Sequence, residues 1–302
     1  MNPNLELLTQ INLDDLVASF GWQDRPLLAR ILRKIFLKPA QTFAKYMVEF
    51  DNAVAELGLV DASRLITKRF VKEVRVFGLN PSTGSGPRLN PDSAYLILSN
   101  HPGMTDTVAL FCALKNPQLK IIALERPFLQ ALPNTSKQLF YVKDDPAARM
   151  TLVRQVSGHL RAGGSALTFP AGEIEPDPNV YPGATESLQA WTDSVGVFIR
   201  MAPETAILPV LVRGVIWEKT AKHFILGIKK TREEKEKLAA AMQLLAMIVF
   251  NMKPVSVTVQ IGRPITVKEL GTTDTKAIHE AVLAEMKSLI ENPPVGEGLS
   301  VL

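Results

Sequence analysis

Apolar and polar positions along the chain follow two successive patterns. Over residues 5–71 the apolar positions recur at three- and four-residue spacing, as in Leu27, Leu28, Ile31, Leu32, Ile35 and Phe36, and this predicts helices. Breaks are expected near Gly21, Lys38-Pro39 and Gly58. From Lys72 onward the pattern changes to short apolar runs of strand length, at 72–77, 94–98, 120–124, 139–142, 166–169, 207–212 and 255–261. Helical spacing separates them over 107–114, 146–161 and 185–201. Another helix is expected after Thr231-Arg232-Glu233-Glu234, where a hydroxyl and early carboxylates precede the apolar stretch 238–252. A last helix is expected from a Thr273-Asp274 cap to about Ile290. Residues 78–92, with three Gly and three Pro, read as an irregular loop.

Apolar strands separated by helical stretches predict an α/β fold, with a central, mostly apolar sheet flanked by helices on both faces. An N-terminal helical segment, 1–72, precedes a main domain, 73–302. At 302 residues, 46% hydrophobic and 21% charged, the chain has the length and composition to bury a large core.

The candidate for chemistry is Asn100-His101-Pro102-Gly103-Met104-Thr105-Asp106, at the end of the 94–98 strand. Proline suits the second position of a turn, and glycine accepts the positive φ of a type II turn at the third. Such a turn would fold the His101 imidazole back toward the Asp106 carboxylate. A histidine so held has its tautomer fixed and its basicity raised, as a general base for a hydroxyl requires. A second strand, 166–169, also runs into a Pro/Gly turn with a carboxylate, Phe169-Pro170-Ala171-Gly172-Glu173.

In these two blocks the chain resembles the glycerolipid acyltransferase superfamily, the PlsC-like acyl-glycerol-phosphate acyltransferases. That family pairs N-H-x-x-x-x-D with a downstream F-P-E-G. Asn100, His101 and Asp106 match the first block, and Phe169, Pro170 and Gly172 match the second. Glu125 to Pro133 with Phe140-Tyr141-Val142-Lys143 resembles the middle block, lysine standing where arginine is usual. Ile207-Leu208-Pro209-Val210 resembles the last. The resemblance covers roughly 75–265 and implies a glycerol-phosphate-acyltransferase-like fold. It implies transfer of a fatty acyl group from acyl-CoA or acyl-carrier protein to a hydroxyl of a lysophospholipid or glycerol-phosphate acceptor. His101 would then be the base and Asp106 its orienting partner, with Asn100, Gly103, Lys143, Phe169, Pro170, Gly172 and Glu173 lining the substrates. Backbone N–H groups around Gly103 or Gly172 would serve the oxyanion. Neither metal nor cofactor is implied.

The second block departs from the family pattern. Ala171 replaces the glutamate, Glu173 follows the glycine, and 162–199 contains no Lys or Arg while holding Glu173, Glu175, Asp177, Glu186 and Asp193. Carboxylates repel a phosphate. A phosphate acceptor would need Lys143, Arg149, Arg126 or Arg213 instead, unless the acidic run is simply a solvated loop. The altered block keeps a non-catalytic lipid-binding protein open as an alternative, and thioester hydrolysis as another.

Other classes find little support. The single Cys112 forms no internal disulfide and no paired-cysteine zinc site. No G-x-S-x-G elbow, Walker loop or dinucleotide fingerprint occurs. His159, His223 and His279 lack a second ligand at metal spacing, and Trp191 and Trp217 suit core packing. One cysteine and the lack of a signal peptide suggest a reducing, cytoplasmic setting, and the expected location is cytoplasmic and peripheral to the membrane. No segment reaches the ~20 apolar residues of a spanning helix. Residues 25–75 hold eleven Lys/Arg against five Asp/Glu, a net of +6 against +4 for the whole chain. An amphipathic helix there suits either an anionic membrane surface or the protein core. No nucleic-acid-binding motif accompanies the charge.

Overall fold

The computed structural model describes residues 3–78 and 93–302, so the loop expected at 78–92 falls, apart from Gly78, outside the described residues. Its eight strands are β1 (Glu73–Phe77), β2 (Tyr95–Ser99), β3 (Leu119–Leu124), β4 (Leu139–Val142), β5 (Ser165–Thr168), β6 (Ala206–Arg213), β7 (Ser256–Ile261) and β8 (Leu299–Ser300). The longer helices are α1 (Pro3–Phe20), α2 (Pro26–Phe70), α3 (Asp106–Leu114), α4 (Pro146–Arg161), α5 (Ser194–Met201), α6 (Arg232–Val249) and α7 (Thr275–Glu291). The chain forms two compact units. A helical unit takes Met1–Lys72, Arg126–Lys137 and Ile216–Val255, and an α/β unit takes Glu73–Glu125, Gln138–Val215 and Ser256–Leu302.

All eight strands belong to the α/β unit and form one sheet, in the order β4-β3-β5-β2-β6-β7-β1-β8. β2 to β6 run parallel; β7 is antiparallel to β6, and β8 to β1. On one face, Leu96, Leu98, Ala166, Ile207 and Leu211 meet Leu152, Val156 and Leu160 of α4, Phe198 and Ile199 of α5, and Ile278, Val282 and Met286 of α7. The opposite pleat, with Ile97, Leu167, Leu208, Val210 and Val212, is equally buried. Burial on both faces is why these strands read as continuous apolar runs rather than alternating ones. Each fully buried Leu or Ile contributes about 1.5–3 kcal/mol of transfer free energy.

Pro209 lies in a central strand, where its missing N–H would ordinarily break a ladder. The sheet accommodates it at a bulge: β6 pairs β7 at Val210–Ile261 and next touches the same chain at Ile207–Ile265, so the facing chain carries one extra residue.

The strands fall within a residue or two of their expected positions, with β8 unforeseen. The helix expected over 185–201 is instead a turn of helix at Ala184–Ser187, a 3-10 turn at Leu188–Ala190, and then α5. Trp191 interrupts it with extended backbone and sends its indole into the sheet's edge loops.

In the helical unit, α2 continues through Pro39, contrary to the expected break, and its departure from helical geometry comes at Gly58, with φ +80°. Proline costs one backbone bond there, but Ala40 and Ala44 on the next turn are buried and hold the helix in line. Phe43 packs between Phe70 and Phe128, and Leu8, Ala44, Ala131 and Leu132 form a small core. A second core joins Phe20 to Leu226, Leu238 and Ala239. α6 opens with the capping box foreseen at Thr231 and Glu234, and ends at Val249, three residues before the apolar run does. No helix among the described residues is long and apolar enough to cross a membrane.

Candidate active site

Because β2 to β6 are parallel, the residues that follow them gather along one edge of the sheet: Asn100 and His101 after β2, Glu125 after β3, Lys143 after β4, Phe169 after β5 and Gly214 after β6. The C-terminal edge of such a sheet is where α/β proteins place their ligand crevices. Asn100 is buried, and its side chain ties two strands together. Its Nδ2 donates to the Val212 carbonyl and its Oδ1 accepts from the Val212 N–H, both at 2.8 Å. That leaves the amide fixed to the backbone rather than facing a substrate.

The loop reverses as expected, with a different closure. Gly103 takes φ +84° and Met104 follows at +55°, a left-handed conformation uncommon for a side chain of that size. The reversal is closed by the Asp106 N–H donating to the Gly103 carbonyl at 3.2 Å. The His101 carbonyl, which would close a turn centred on Pro102-Gly103, accepts instead from the Glu175 N–H at 2.8 Å.

Asp106 is almost fully buried at the start of α3. Its Oδ2 lies 2.8 Å from His101 Nδ1 and accepts from the Gly103 N–H at 2.8 Å. Its Oδ1 accepts from the backbone and hydroxyl of Thr107. With Nδ1 held by the carboxylate, Nε2 is the nitrogen left to act. The imidazole is 29% exposed, and its ring stacks on Phe169 at 4.4 Å between centroids. Burial alone would push His101 down. The Asp106 charge and hydrogen bond, with a smaller contribution from the Glu175 charge, more than offset it and leave the imidazole above its ordinary value.

The acidic run after Gly172 divides in two. Glu173 is exposed. Glu175 and Asp177 are buried and accept from backbone at the sheet edge. Glu175 Oε2 accepts from the His101 N–H at 3.0 Å, and Oε1 accepts from Trp191 Nε1 at 2.8 Å and Ser187 Oγ at 3.1 Å. Burial pushes its carboxyl above the usual range, against the pull of these donors. Asp177 accepts from Gly214 N–H at 2.9 Å and Val215 N–H at 2.7 Å. Neither was singled out from the sequence, where a run of acids reads as solvated loop.

The remaining expected residues are placed as follows. Pro170 is buried, and Gly172 is exposed, with its N–H donating to the Phe169 carbonyl at 3.0 Å. The N–H groups of both Gly103 and Gly172 are thus already bonded within the loops, so neither is a ready oxyanion donor. Ile174, 53% exposed, lies over Gly103: a Cβ there would come within 3.2 Å of its Cδ1. Lys143 pairs with Glu125 at 3.5 Å, three strand positions and roughly 14 Å across the sheet from His101's strand. Arg149 pairs with Asp144 at 3.4 Å. Arg213 is buried, its Nη2 donating to the Leu289 carbonyl at 2.7 Å. The described residues hold no group of three or more His, Cys, Asp and Glu suited to a metal ion.

The arrangement can therefore accept a proton at a histidine whose tautomer and basicity are set by a buried carboxylate, beside an aromatic wall. Among solved structures similar to this chain is the 1-acyl-sn-glycerophosphate (LPA) acyltransferase PlsC from Thermotoga maritima. It aligns over 94% of this chain and 96% of its own length, with 15% identity and a TM-score of 0.47. No family model and no curated protein matches the chain.

Proposed function

We propose that the protein is an O-acyltransferase that moves a fatty acyl group from acyl-CoA or acyl-carrier protein to a hydroxyl of a lysophospholipid or glycerol-phosphate-type acceptor. The observation that carries this reading is the 2.8 Å pairing of His101 Nδ1 with buried Asp106, which leaves Nε2 as the accepting nitrogen at the sheet's C-terminal edge. As the acceptor hydroxyl attacks the thioester carbonyl, Nε2 takes its proton. Asp106 stabilises the imidazolium that forms and keeps the ring aimed. Collapse of the tetrahedral intermediate breaks the C–S bond, and the imidazolium returns the proton to the leaving thiolate. The acyl group passes directly to the acceptor, with no covalent enzyme intermediate. Phe169 and Ile174 offer apolar surface beside the reacting atoms. Of the four cations named from the sequence, Arg213 is buried on the Leu289 carbonyl, Lys143 and Arg149 form exposed pairs with Glu125 and Asp144, and Arg126 is exposed in the helical unit. With two carboxylates and, among the described residues, no cation against His101, a neutral or zwitterionic lysolipid suits the site better than a phosphate monoester.

Free-thiol release from acyl-CoA and acyl-carrier protein tests the reading, with lysophosphatidate, glycerol 3-phosphate and neutral or zwitterionic lysolipids as acceptors. Release should require an acceptor and fall at least about a thousandfold in His101→Ala. Release that survives the substitution would sink the mechanism. Release without any acceptor would make the protein a hydrolase, and silence with lipid retained would make it a binder.

A further inference from the structure

We infer that Glu175 is a positioning residue for the proposed acyl transfer, holding the main chain at His101 so that the ring presents Nε2 to the acceptor; this rests on His101 being the base. Two carboxylates bracket the histidine. Asp106 holds the ring at Nδ1, and Glu175 holds the peptide on both sides, accepting from the His101 N–H at 3.0 Å and donating its own N–H to the His101 carbonyl at 2.8 Å. That exchange bridges positions 74 residues apart, and neither bond comes from the sheet ladder.

Among the described residues, every hydrogen-bond partner of the Glu175 side chain is a donor: the His101 N–H, the Trp191 indole and the Ser187 hydroxyl. A carboxylate accepts all three. An amide of the same shape would turn two N–H groups toward at least one of those donors, leaving a buried donor unpaired. Glu175 is itself anchored: Asp177, two residues on, is bound to the Gly214 and Val215 N–H groups, and the Thr192 N–H donates to the Pro170 carbonyl at 3.1 Å. The 170–177 segment is thus a strap fastened at both ends, with Glu175 its contact to the base. The titratable groups facing His101 are Asp106 from α3 and Glu175 from the strap; Phe169 against the ring is neutral. Both carboxylates favour the imidazolium.

Glu175→Gln and Glu175→Asp in the full-length protein separate charge from position. The glutamine variant should lower kcat about tenfold or more, with KM for the thioester changed by no more than about twofold, because placement of a reacting group rather than binding is lost. Its acid limb should move to lower pH, since one carboxylate charge is gone. The aspartate variant, one methylene short, should lose kcat comparably while keeping the acid limb where it was. Trp191→Phe removes one donor and should cost a fewfold in kcat.

Unchanged kcat and acid limb in a folded Glu175→Gln, with His101→Ala inactive, would overturn the inference and leave the reading of the site standing. If Glu175→Gln does not fold, unchanged kcat in both Glu175→Asp and Trp191→Phe would overturn it equally. Activity that survives His101→Ala would instead overturn the reading of the site.

Discussion

The Asp106 carboxylate accepts from four donors: the His101 ring, the Gly103 N–H, and the backbone and hydroxyl of Thr107. Asp106→Asn keeps the shape but removes the charge, and its NH2 cannot accept from Nδ1–H. We expect kcat to fall about a hundredfold or more with the fold retained, measured by steady-state thiol release and circular dichroism. His101 is held above the ordinary histidine value of about 6.5, and a general base must be neutral to act. The acid limb of kcat/KM should therefore have its midpoint above that value. The stability linkage has the opposite sense. A raised histidine contributes fully below its unfolded pKa, and that contribution is lost as pH rises through the folded one. The pairing of His101 with Asp106 was legible in the sequence because five residues and a Pro-Gly reversal are local. Glu175 was not, because its partner is 74 positions away and nothing in a string of acids tells a buried carboxylate from a solvated one.

Strands were legible because a sheet buried on both faces leaves an unbroken apolar run, and α6 because its capping box is written within four residues. The misplaced boundaries have tertiary causes. Pro39 lies within helical backbone with Ala40 buried beside it, and the helix expected over 185–201 divides at Trp191, whose indole donates to Glu175. The exposed stripe of α2 is a different matter. Leu27, Ile31 and Ile35 recur every fourth residue at 72%, 55% and 62% exposure, interleaved with the exposed Arg30, Lys34 and Lys38. That stripe keeps both roles open to the helix, and vesicle binding decides between them. Changing all three apolar residues to Ser should leave thermal stability nearly unchanged and weaken sedimentation with anionic vesicles at least about tenfold. Unaltered sedimentation would assign the stripe no part in lipid binding.

Over the whole molecule, charge is divided between the two units. The helical unit has twenty Lys/Arg against twelve Asp/Glu, and the α/β unit fourteen against eighteen, so nets of +8 and −4 stand behind the overall +4. Vesicle association that depends on the helical unit should therefore weaken as salt is raised from about 0.1 M to 1 M, where the Debye length falls from about 10 Å to 3 Å. Salt-independent association would point to apolar insertion alone. The helical unit is also assembled from three separate stretches of chain, the last ending at Val255, and α6 in that stretch packs on both α1 and α2. A ribosome that has finished residue 72 must add 177 residues before this helix is complete at Val249, which takes roughly 9–35 s at elongation rates of about 5–20 residues per second. For most of that interval the two N-terminal helices have emerged without their final cover, open to a chaperone or a bilayer.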